Sequence, residues 1–345
     1  MNTYYNNKSV RHPHAGRFLL TTALAALLLC SCHRQEPVRL MGEAQGTYYS
    51  IQYYDARQRD LQPQIDSLLQ AFDRSASLWV DSSLLRRINA GLTDSLDDIL
   101  HFLLCHSMEI SGYTNGAFDP RVGRLVQTWG FSFKERTEPD SATLAAMIEA
   151  AQGTVGSIYG RYTRSNPDTE LDFNAIAQGY ASDLVAQYLA GQGIDAYLVD
   201  IGGEVIAHGR KADGSPWRVG IERPAEERYS APVVQTAIPL VDQSVVTSGS
   251  YRKYYERDGV RYSHTIDPTT GRPVQHSLLS VSVVEDACWL ADAMATAYMV
   301  MGLDSARRFI DAHPHGPGTD AVFFIYDSCG TLKTYETNGF KALKK

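Results

Sequence analysis

Alternating and clustered apolar residues predict strands that concentrate in the second half of this chain. An early run at 47–54 mixes tyrosines with β-branched residues and predicts a first strand. From residue 154 onward strands dominate, and we expect them at 157–163, 196–200, 217–222, 233–240 and 262–266.

Helical periodicity separates these strands. Pro63 lies at the first turn of a helix that runs toward Phe72, the run 81–83 caps a second, and 94–111 carries a long third. Further helices are expected at 141–151, 176–189 and 287–301. Because helices are inserted among grouped strands and do not alternate with them strictly, the predicted fold class is α+β. We expect a mixed β-sheet with inserted helices in one folded unit at 43–345.

The N-terminus has the architecture of an export signal. Three basic residues precede an apolar run at 18–29 that is too short for the roughly 20 residues of a spanning helix, and Cys30 and Cys32 follow it. The segment resembles a bacterial lipobox, so 1–31 is interpreted as a signal peptide, Cys32 as the lipidated residue and 32–42 as a tether. The alternative is a plain secretory signal with two incidental cysteines.

Composition narrows the classes of partner. A formal net charge of -7 at pH 7 offers no basic surface for nucleic acid, so no nucleic-acid partner is expected. Beyond the signal only Cys105, Cys288 and Cys329 remain, an odd number that cannot complete a disulfide framework. The surroundings of Cys105 and Cys288 predict buried structural thiols, and no pair has zinc-ligand spacing.

The most informative candidate site is the apolar segment at 291–301, which is polar only at Asp292 and Thr296. A helix that is apolar all round is buried, and a buried carboxylate needs a partner or a metal. The two residues lie one helical turn apart on one face, and their oxygens suit a hard cation such as Mg²⁺. The alternative is an Asp that accepts hydrogen bonds from amides and a Thr bonded to its own helix.

Two segments carry weaker signals for ligand binding. At 171–180 a strand turns into a helix with Asp172 and Asn174 near its start, where free amides bind anions, or Asn174 serves as an ordinary N-cap. The glycines Gly202 and Gly203 follow a strand, and they either let a ligand approach the backbone or form a turn.

Two later segments add candidate groups. The run 247–250 is rich in hydroxyls and predicts a loop that holds phosphate. The strand at 262–266 ends in an Asp267-Pro268 turn beside His264, a residue type suited to proton transfer that is also a common half-buried polar residue. The chain contains no G-x-S-x-G, H-E-x-x-H, Walker or G-x-G-x-x-G motif, which disfavours the corresponding enzyme classes.

Taken in order, several motifs resemble one known family. They are GTYYS at 46–50, DSSLLRRIN at 81–89, TNGAFDP at 114–120, WGF at 129–131, TSGSY at 247–251, SHTIDPTTG at 263–271 and ADAMAT at 291–296. These stretches look like the signatures of the FAD:protein FMN transferases, the flavin transferases called ApbE lipoproteins. The resemblance covers nearly the whole chain and implies an ApbE-like, T-fold-related architecture.

The resemblance implies specific roles for residues of this chain. It implies that FAD is held by Trp79, Ala117, Phe118, Asp119, Asp172, Gln178 and Ile266, and Mg²⁺ by Asp292, Thr296 and the backbone carbonyl of Ala175. Mn²⁺ accepts the same oxygen ligands. His264 would take the proton of an acceptor threonine as FMN is transferred to it and AMP leaves.

Three positions depart from the family pattern. Gln178 replaces a Lys or Glu, Gln45 replaces a frequent Met, and Ala295 stands where some members carry a second Asp. The last departure disfavours a two-metal hydrolytic variant.

The resemblance also implies partners and a location. The expected acceptors are flavoprotein subunits of membrane redox complexes, such as the sodium-pumping NADH:quinone reductase or Rnf-type complexes. The expected location is the bacterial cell envelope, with a lipid anchor in a membrane and the enzyme facing the periplasm. The rival functions are an FAD pyrophosphatase that releases FMN and AMP, and a non-catalytic FAD-binding lipoprotein.

Overall fold

The computed structural model describes Met1, 36–131, Thr137, 139–224, Ala231, 233–250, 254–257 and 260–345. The chain divides into Met1–Glu36 and Pro37–Lys345, and the helices and strands described here belong to the second unit. The predicted signal peptide and Cys32 lie outside the described residues, apart from Met1. Within the described residues, no helix has both the length and the apolar character needed to cross a bilayer.

An eight-stranded sheet forms the centre of the fold. Its order is β1-β2-β5-β6-β9-β14-β15-β16, and every neighbouring pair is antiparallel. The strands are β1 Val38–Ala44, β2 Thr47–Tyr53, β5 Tyr197–Ile201, β6 Glu204–His208, β9 Gln243–Gly249, β14 Leu278–Glu285, β15 Ala321–Ser328 and β16 Thr331–Glu336.

The described residues also form four two-stranded sheets. They pair β3 Val155–Ile158 with β4 Arg161–Arg164, β7 Trp217–Arg223 with β8 Val233–Leu240, β10 Tyr254–Arg257 with β11 Val260–Ser263, and β12 Ile266–Asp267 with β13 Arg272–Pro273.

The helices come mostly in two groups between the strands. They are α1 Gln62–Ala76, α2 Leu84–Asn89, α3 Asp98–Tyr113, α4 Gly123–Thr128, α5 Ser141–Ala151, α6 Ala177–Gly191, α7 Cys288–Met301, α8 Leu303–Ala312 and α9 Asn338–Leu343. Helices α2, α3 and α5 begin at Ser83, Asp97 and Asp140, whose side chains accept a hydrogen bond from an amide of the first turn.

Alternate residues of the sheet enter two different cores. Val199, Val283 and Phe324 belong to the large cluster that the helices cover, whereas Val284 and Phe323 belong to a second cluster that contains Trp217 of β7. Because both faces are covered, the central strands are apolar on both sides. The large cluster contains α6 and α7 and therefore positions the candidate site.

The structure confirms the α+β class and most predicted elements. Strand β8 and helix α5 have the predicted bounds, and α7 is buried along nearly its whole length, as an apolar helix should be. The strands β6, β9, β14, β15 and β16 of the central sheet and the helices α4, α8 and α9 were not predicted.

Four predictions need correction. The single strand at 157–163 is a hairpin that turns at Tyr159 and Gly160, both with positive φ. The strand at 262–266 is interrupted at His264 and Thr265. The predicted loop at 247–250 is largely the end of β9. The tether at 32–42 overlaps β1, which pairs with β2 from Val38 onward.

The two cysteines predicted to be core thiols differ. Cys288 is fully buried at the start of α7, as expected, whereas Cys105 is partly exposed on α3. The apolar neighbours of Cys105 therefore do not put its own side chain in the core.

Candidate active site

The buried helices α6 and α7 approach each other most closely beside Gly179. A Cβ atom at this position would lie 2.6 Å from the carbonyl oxygen of Cys288 and 2.8 Å from the Cα of Trp289. The Gly179 N–H donates a hydrogen bond to Oδ2 of Asp292 at 3.1 Å. The missing side chain at Gly179 thus lets the Asp292 carboxylate reach the first turn of α6.

A second carboxylate links the same helices in the opposite direction. Asp183 of α6 accepts hydrogen bonds from the amides of Cys288 at 3.0 Å and Trp289 at 2.9 Å. These are orphan amides at the start of α7. Burial raises the pKa of the Asp183 carboxyl to about 6, against the lowering effect of these two amides.

The predicted metal ligands lie around this crossing. Asp292 is 5% exposed, and the Thr296 hydroxyl lies 3.4 Å from the Ser248 hydroxyl at the end of β9. Ala175 belongs to the turn that leads into α6. Asp292 accepts an amide hydrogen bond, but from Gly179 within helix α6 and not from a loop, and the Thr296 hydroxyl contacts Ser248 of β9.

The donor chemistry fits a hard cation. In the part of the chain that is described, no three His, Cys, Asp or Glu side chains form a metal-binding group. The candidate donors are one carboxylate, one hydroxyl and one backbone carbonyl, from Asp292, Thr296 and Ala175. An all-oxygen set of this kind suits Mg²⁺ or Mn²⁺ better than zinc.

The Gln178 side chain lies next to the turn between β5 and β6. Gly202 and Gly203 form this turn with φ values of 67° and 107°. A Cβ atom on Gly202 would lie 2.4 Å from Nε2 of Gln178 and 2.8 Å from Cγ2 of Thr47. The paired glycines therefore form the predicted turn, and the group that approaches Gly202 closely is the Gln178 side chain. The approach of a ligand to this backbone stays a prediction.

Asp172 is a buried carboxylate that is only partly satisfied. It is 6% exposed, and its Oδ1 accepts a hydrogen bond from the Asn174 N–H at 2.8 Å. Among the described residues its Oδ2 has no hydrogen-bond partner. Burial raises the pKa of this carboxyl to about 6. A buried oxygen of this kind is a candidate contact for a ligand donor.

The backbone beside Asp172 is held on two sides. The Asn89 amide bonds both backbone groups of Leu171: its Nδ2 donates to the carbonyl at 2.8 Å, and the Leu171 N–H donates to its Oδ1 at 2.9 Å. The Asp172 N–H donates to the carbonyl of Pro120 at 2.7 Å. Asn174 is not the N-cap, because α6 begins after Ile176 and has no side-chain cap.

Asp119 forms an ion pair next to this segment. Its carboxylate accepts hydrogen bonds from the Arg121 guanidinium at 2.8 and 2.6 Å and from the Arg121 N–H at 2.9 Å. Arg121 also donates to the carbonyl of Gly153 at 2.8 Å. This bidentate arrangement fixes the turn at 119–121, and the Pro120 carbonyl of that turn accepts a hydrogen bond from the Asp172 amide.

His264 lies half-buried on a loop that is firmly attached to the α4 region. The Trp129 indole N–H donates to the carbonyl of Gly271 at 2.7 Å, and Ile266 is buried in the same small cluster as Trp129. The His264 ring meets the Phe131 ring edge-on, with centroids 6.3 Å apart. These contacts fix the loop on which His264 is carried.

The other predicted FAD contacts differ in exposure. Phe118 is buried in the large core, Ala117 packs partly buried against it, and Trp79 is 60% exposed between α1 and α2. Asp292 lies at the helix crossing, where the Gly179 amide donates to it, and Gln178 precedes Gly179 on α6. Ala175 lies in the turn before α6, and Thr296 lies one turn beyond Asp292 on α7. Asp119 and Asp172 are linked through Pro120, and His264 shares its loop with Ile266. Trp79 stands on the surface.

Sequence reasoning did not single out three residues that organise the site. Asn89 was part of a motif without a stated role, and Asp183 and Arg121 were not identified. The signal for Asp183 is a carboxylate in an otherwise apolar part of α6, four residues after Gly179. The signal for Arg121 is its position two residues after Asp119.

Comparison with known proteins agrees with this arrangement. The ApbE family profile matches residues 45–323. The chain belongs to the ApbE family. It is 36% identical to the FAD:protein FMN transferase of Vibrio cholerae serotype O1, over 93% of this chain and 97% of that protein. It is 33% identical to the protein of the same name from Escherichia coli K12, over 90% of each chain.

Solved ApbE structures share the fold. The flavin transferase ApbE from Vibrio cholerae superposes with a TM-score of 0.77 at 33% identity, covering 89% of this chain and 99% of that one. The apo flavinyl transferase ApbE from Pseudomonas stutzeri gives 0.79 at 32% identity, covering 91% and 98%. The ApbE family resemblance deduced from the motifs is therefore confirmed along nearly the full chain.

Proposed function

We propose that this protein is a flavin transferase that moves FMN from FAD to an acceptor protein. The observation that carries the proposal is the helix crossing at Gly179, where the buried Asp292 and the partly buried Thr296 offer oxygen donors one helical turn apart on α7. Relatives named FAD:protein FMN transferase match this chain over almost their whole length, which supports the same activity here.

Mg²⁺ is the proposed metal, held by Asp292, Thr296 and the Ala175 carbonyl. When bound it would neutralise charge on the FAD diphosphate. The hydrogen bond from the Gly179 amide, which orients the Asp292 carboxylate from the α6 side, supports this assignment.

The protein groups then position and deprotonate the reactants. A threonine hydroxyl of the acceptor attacks the FMN-side phosphorus, the phosphoanhydride bond breaks, and AMP leaves with the electron pair of that bond. His264 accepts the hydroxyl proton, and a phosphoester joins FMN to the acceptor. Asp172 offers its buried Oδ2 to a hydrogen-bond donor of FAD.

We further propose that Cys32 carries lipid and that the enzyme works in the cell envelope, facing the periplasm. Its acceptors would be flavoprotein subunits of membrane redox complexes, such as the sodium-pumping NADH:quinone reductase or Rnf-type complexes. Export and lipid attachment are tested by detergent-phase partitioning of the full chain. A Cys32→Ala variant should leave the detergent phase, whereas unchanged partitioning would refute lipidation at Cys32.

Product analysis separates transfer from its rivals. The chain without residues 1–32 is incubated with FAD and Mg²⁺, with and without an acceptor domain, and AMP and free FMN are quantified by chromatography. Transfer predicts AMP without matching free FMN, and only when acceptor is present.

Equal amounts of FMN and AMP without acceptor would indicate the pyrophosphatase. Intact FAD with a competent acceptor would indicate the carrier. Asp292→Ala should abolish AMP release, and Asp304→Ala, an acidic first-turn residue of α8, is the matched control that should retain it.

A further inference from the structure

Where helices α6 and α7 cross, each helix directs one carboxylate at backbone amides of the other. Asp292 of α7 accepts from the Gly179 amide of α6, and Asp183 of α6 accepts from the Cys288 and Trp289 amides of α7. Gly179 and Asp183 are one turn apart, as are Cys288 and Asp292, so each helix uses a single face for both contacts.

Asp183 caps helix α7 from the neighbouring helix, whereas an ordinary N-cap side chain belongs to the helix that it caps. Ala287, the N-cap residue of α7, has no side chain that caps the helix. A Ser or Asp at this position would satisfy the amides locally. The cap comes instead from a buried side chain of the neighbouring helix, so satisfying the amides also ties the start of α7 to α6.

This tie is close to the proposed metal donors. Asp292 lies one turn beyond Cys288 on α7, and Thr296 one turn beyond Asp292. Ala175 precedes Gly179 at the start of α6. Any separation or rotation of the two helices would therefore change the distance between the Asp292 and Thr296 oxygens and the Ala175 carbonyl.

We propose that Asp183 is a positioning residue that sets the relative placement of α6 and α7 and thereby assembles the cation site. The inference rests on the proposed function, because it assumes that Asp292 and Thr296 bind a divalent cation. The role we assign to Asp183 is not that of a ligand, because its carboxylate is directed at the first amides of α7.

Direct binding of Mn²⁺, measured from its EPR signal in the absence of FAD and acceptor, tests this inference. Asp183→Asn keeps one acceptor but turns the other into a donor that faces an amide N–H. We expect the dissociation constant to rise about 10-fold, at the lower end of the range for groups that orient metal ligands.

Asp183→Glu keeps the charge, but its longer side chain does not fit between the helices while capping both amides. The dissociation constant should rise at least about 3-fold. This variant also serves if Asp183→Asn does not fold. The matched control is Asp97→Asn at the N-cap of α3, which should change Mn²⁺ affinity less than about 2-fold although it also alters a cap.

The outcomes separate the two claims. Wild type and Asp292→Ala binding Mn²⁺ equally would refute the proposed metal site and this inference with it. A functional metal site with unchanged affinity in Asp183→Asn would refute the positioning role alone. Wild-type affinity in Asp183→Glu with a loss only in Asp183→Asn would assign the effect to charge and also refute it. Melting temperatures of the metal-free proteins verify that each variant is folded.

Discussion

The substitution Gly179→Ala adds one methyl group, and this group should push helices α6 and α7 apart although alanine itself favours a helix. The Cβ of Gly179→Ala would lie 2.6 Å from the Cys288 carbonyl oxygen and 2.8 Å from the Trp289 Cα, well inside the roughly 3.5–4.0 Å of a comfortable contact. Both neighbours are backbone atoms, which cannot rotate away. The helices must move apart by several tenths of an ångström.

Three contributions decide the change in the free energy of unfolding. Alanine is favoured over glycine in a helix by about 1 kcal/mol. Overpacking a tight contact typically destabilises by about 1–3 kcal/mol. Weakening the charged hydrogen bond from the Gly179 amide to Asp292 removes part of a further 1.5–3 kcal/mol or so. The sum predicts a net loss of about 2 kcal/mol.

Urea unfolding at 25 °C measures this change, and α6 contains its own control. Gly191, the last residue of the helix, is exposed, and a Cβ added there would have nothing within 4 Å, so Gly191→Ala should stabilise by up to about 0.5–1 kcal/mol. The reasoning would be refuted if Gly179→Ala were as stable as Gly191→Ala.

Three further predictions concern the other groups of the site. Asn89→Asp loses the donor to the Leu171 carbonyl, which holds the backbone beside Asp172. We expect FAD binding to weaken by about 1–3 kcal/mol in a fluorescence titration. An unchanged Kd would contradict a role of Asn89 in placing Asp172. Burial raises the pKa of Asp172 from the reference 3.8 to about 6 in the folded state, so its contribution to the free energy of unfolding falls as pH rises from about 4 to 6. Over that window the stability of Asp172→Asn should rise by roughly 3 kcal/mol relative to wild type. A stability difference that does not change with pH would contradict the raised pKa. His264→Ala should keep FAD affinity and slow transfer about 10²–10⁴-fold, and an unchanged rate would remove His264 from the mechanism.

Local pattern was enough to predict the elements that are strongly periodic. Helices α5 and α6 and strand β8 could be predicted from the spacing of their apolar residues, and α7 from its nearly continuous apolar sequence. A strand at 262–266 was predicted, but its interruption at His264 was missed, because the following turn is held by a distant contact in which Trp129 donates to Gly271. That contact spans a long stretch of chain and leaves no local signature.

Some residues of the candidate site could likewise be predicted from the local sequence, and others could not. Asp292 could be predicted because a carboxylate in an all-apolar helix is costly without a partner. Its partner Gly179 could not, since only the tertiary crossing shows that a side chain there would collide with α7. The two-point bond from Asn89 to Leu171 likewise joins distant segments. Which face of α6 meets α7 is a property of the assembled core.

The most direct test of the proposed function is the intact mass of an acceptor after reaction. A purified protein domain that carries a flavin-acceptor threonine is incubated with FAD, Mg²⁺ and the enzyme. Our account predicts a mass gain equal to FMN minus water, which disappears without Mg²⁺, with Asp292→Ala, or when the acceptor threonine is replaced. An unchanged acceptor mass, with FAD intact or fully split into FMN and AMP, would contradict flavin transfer.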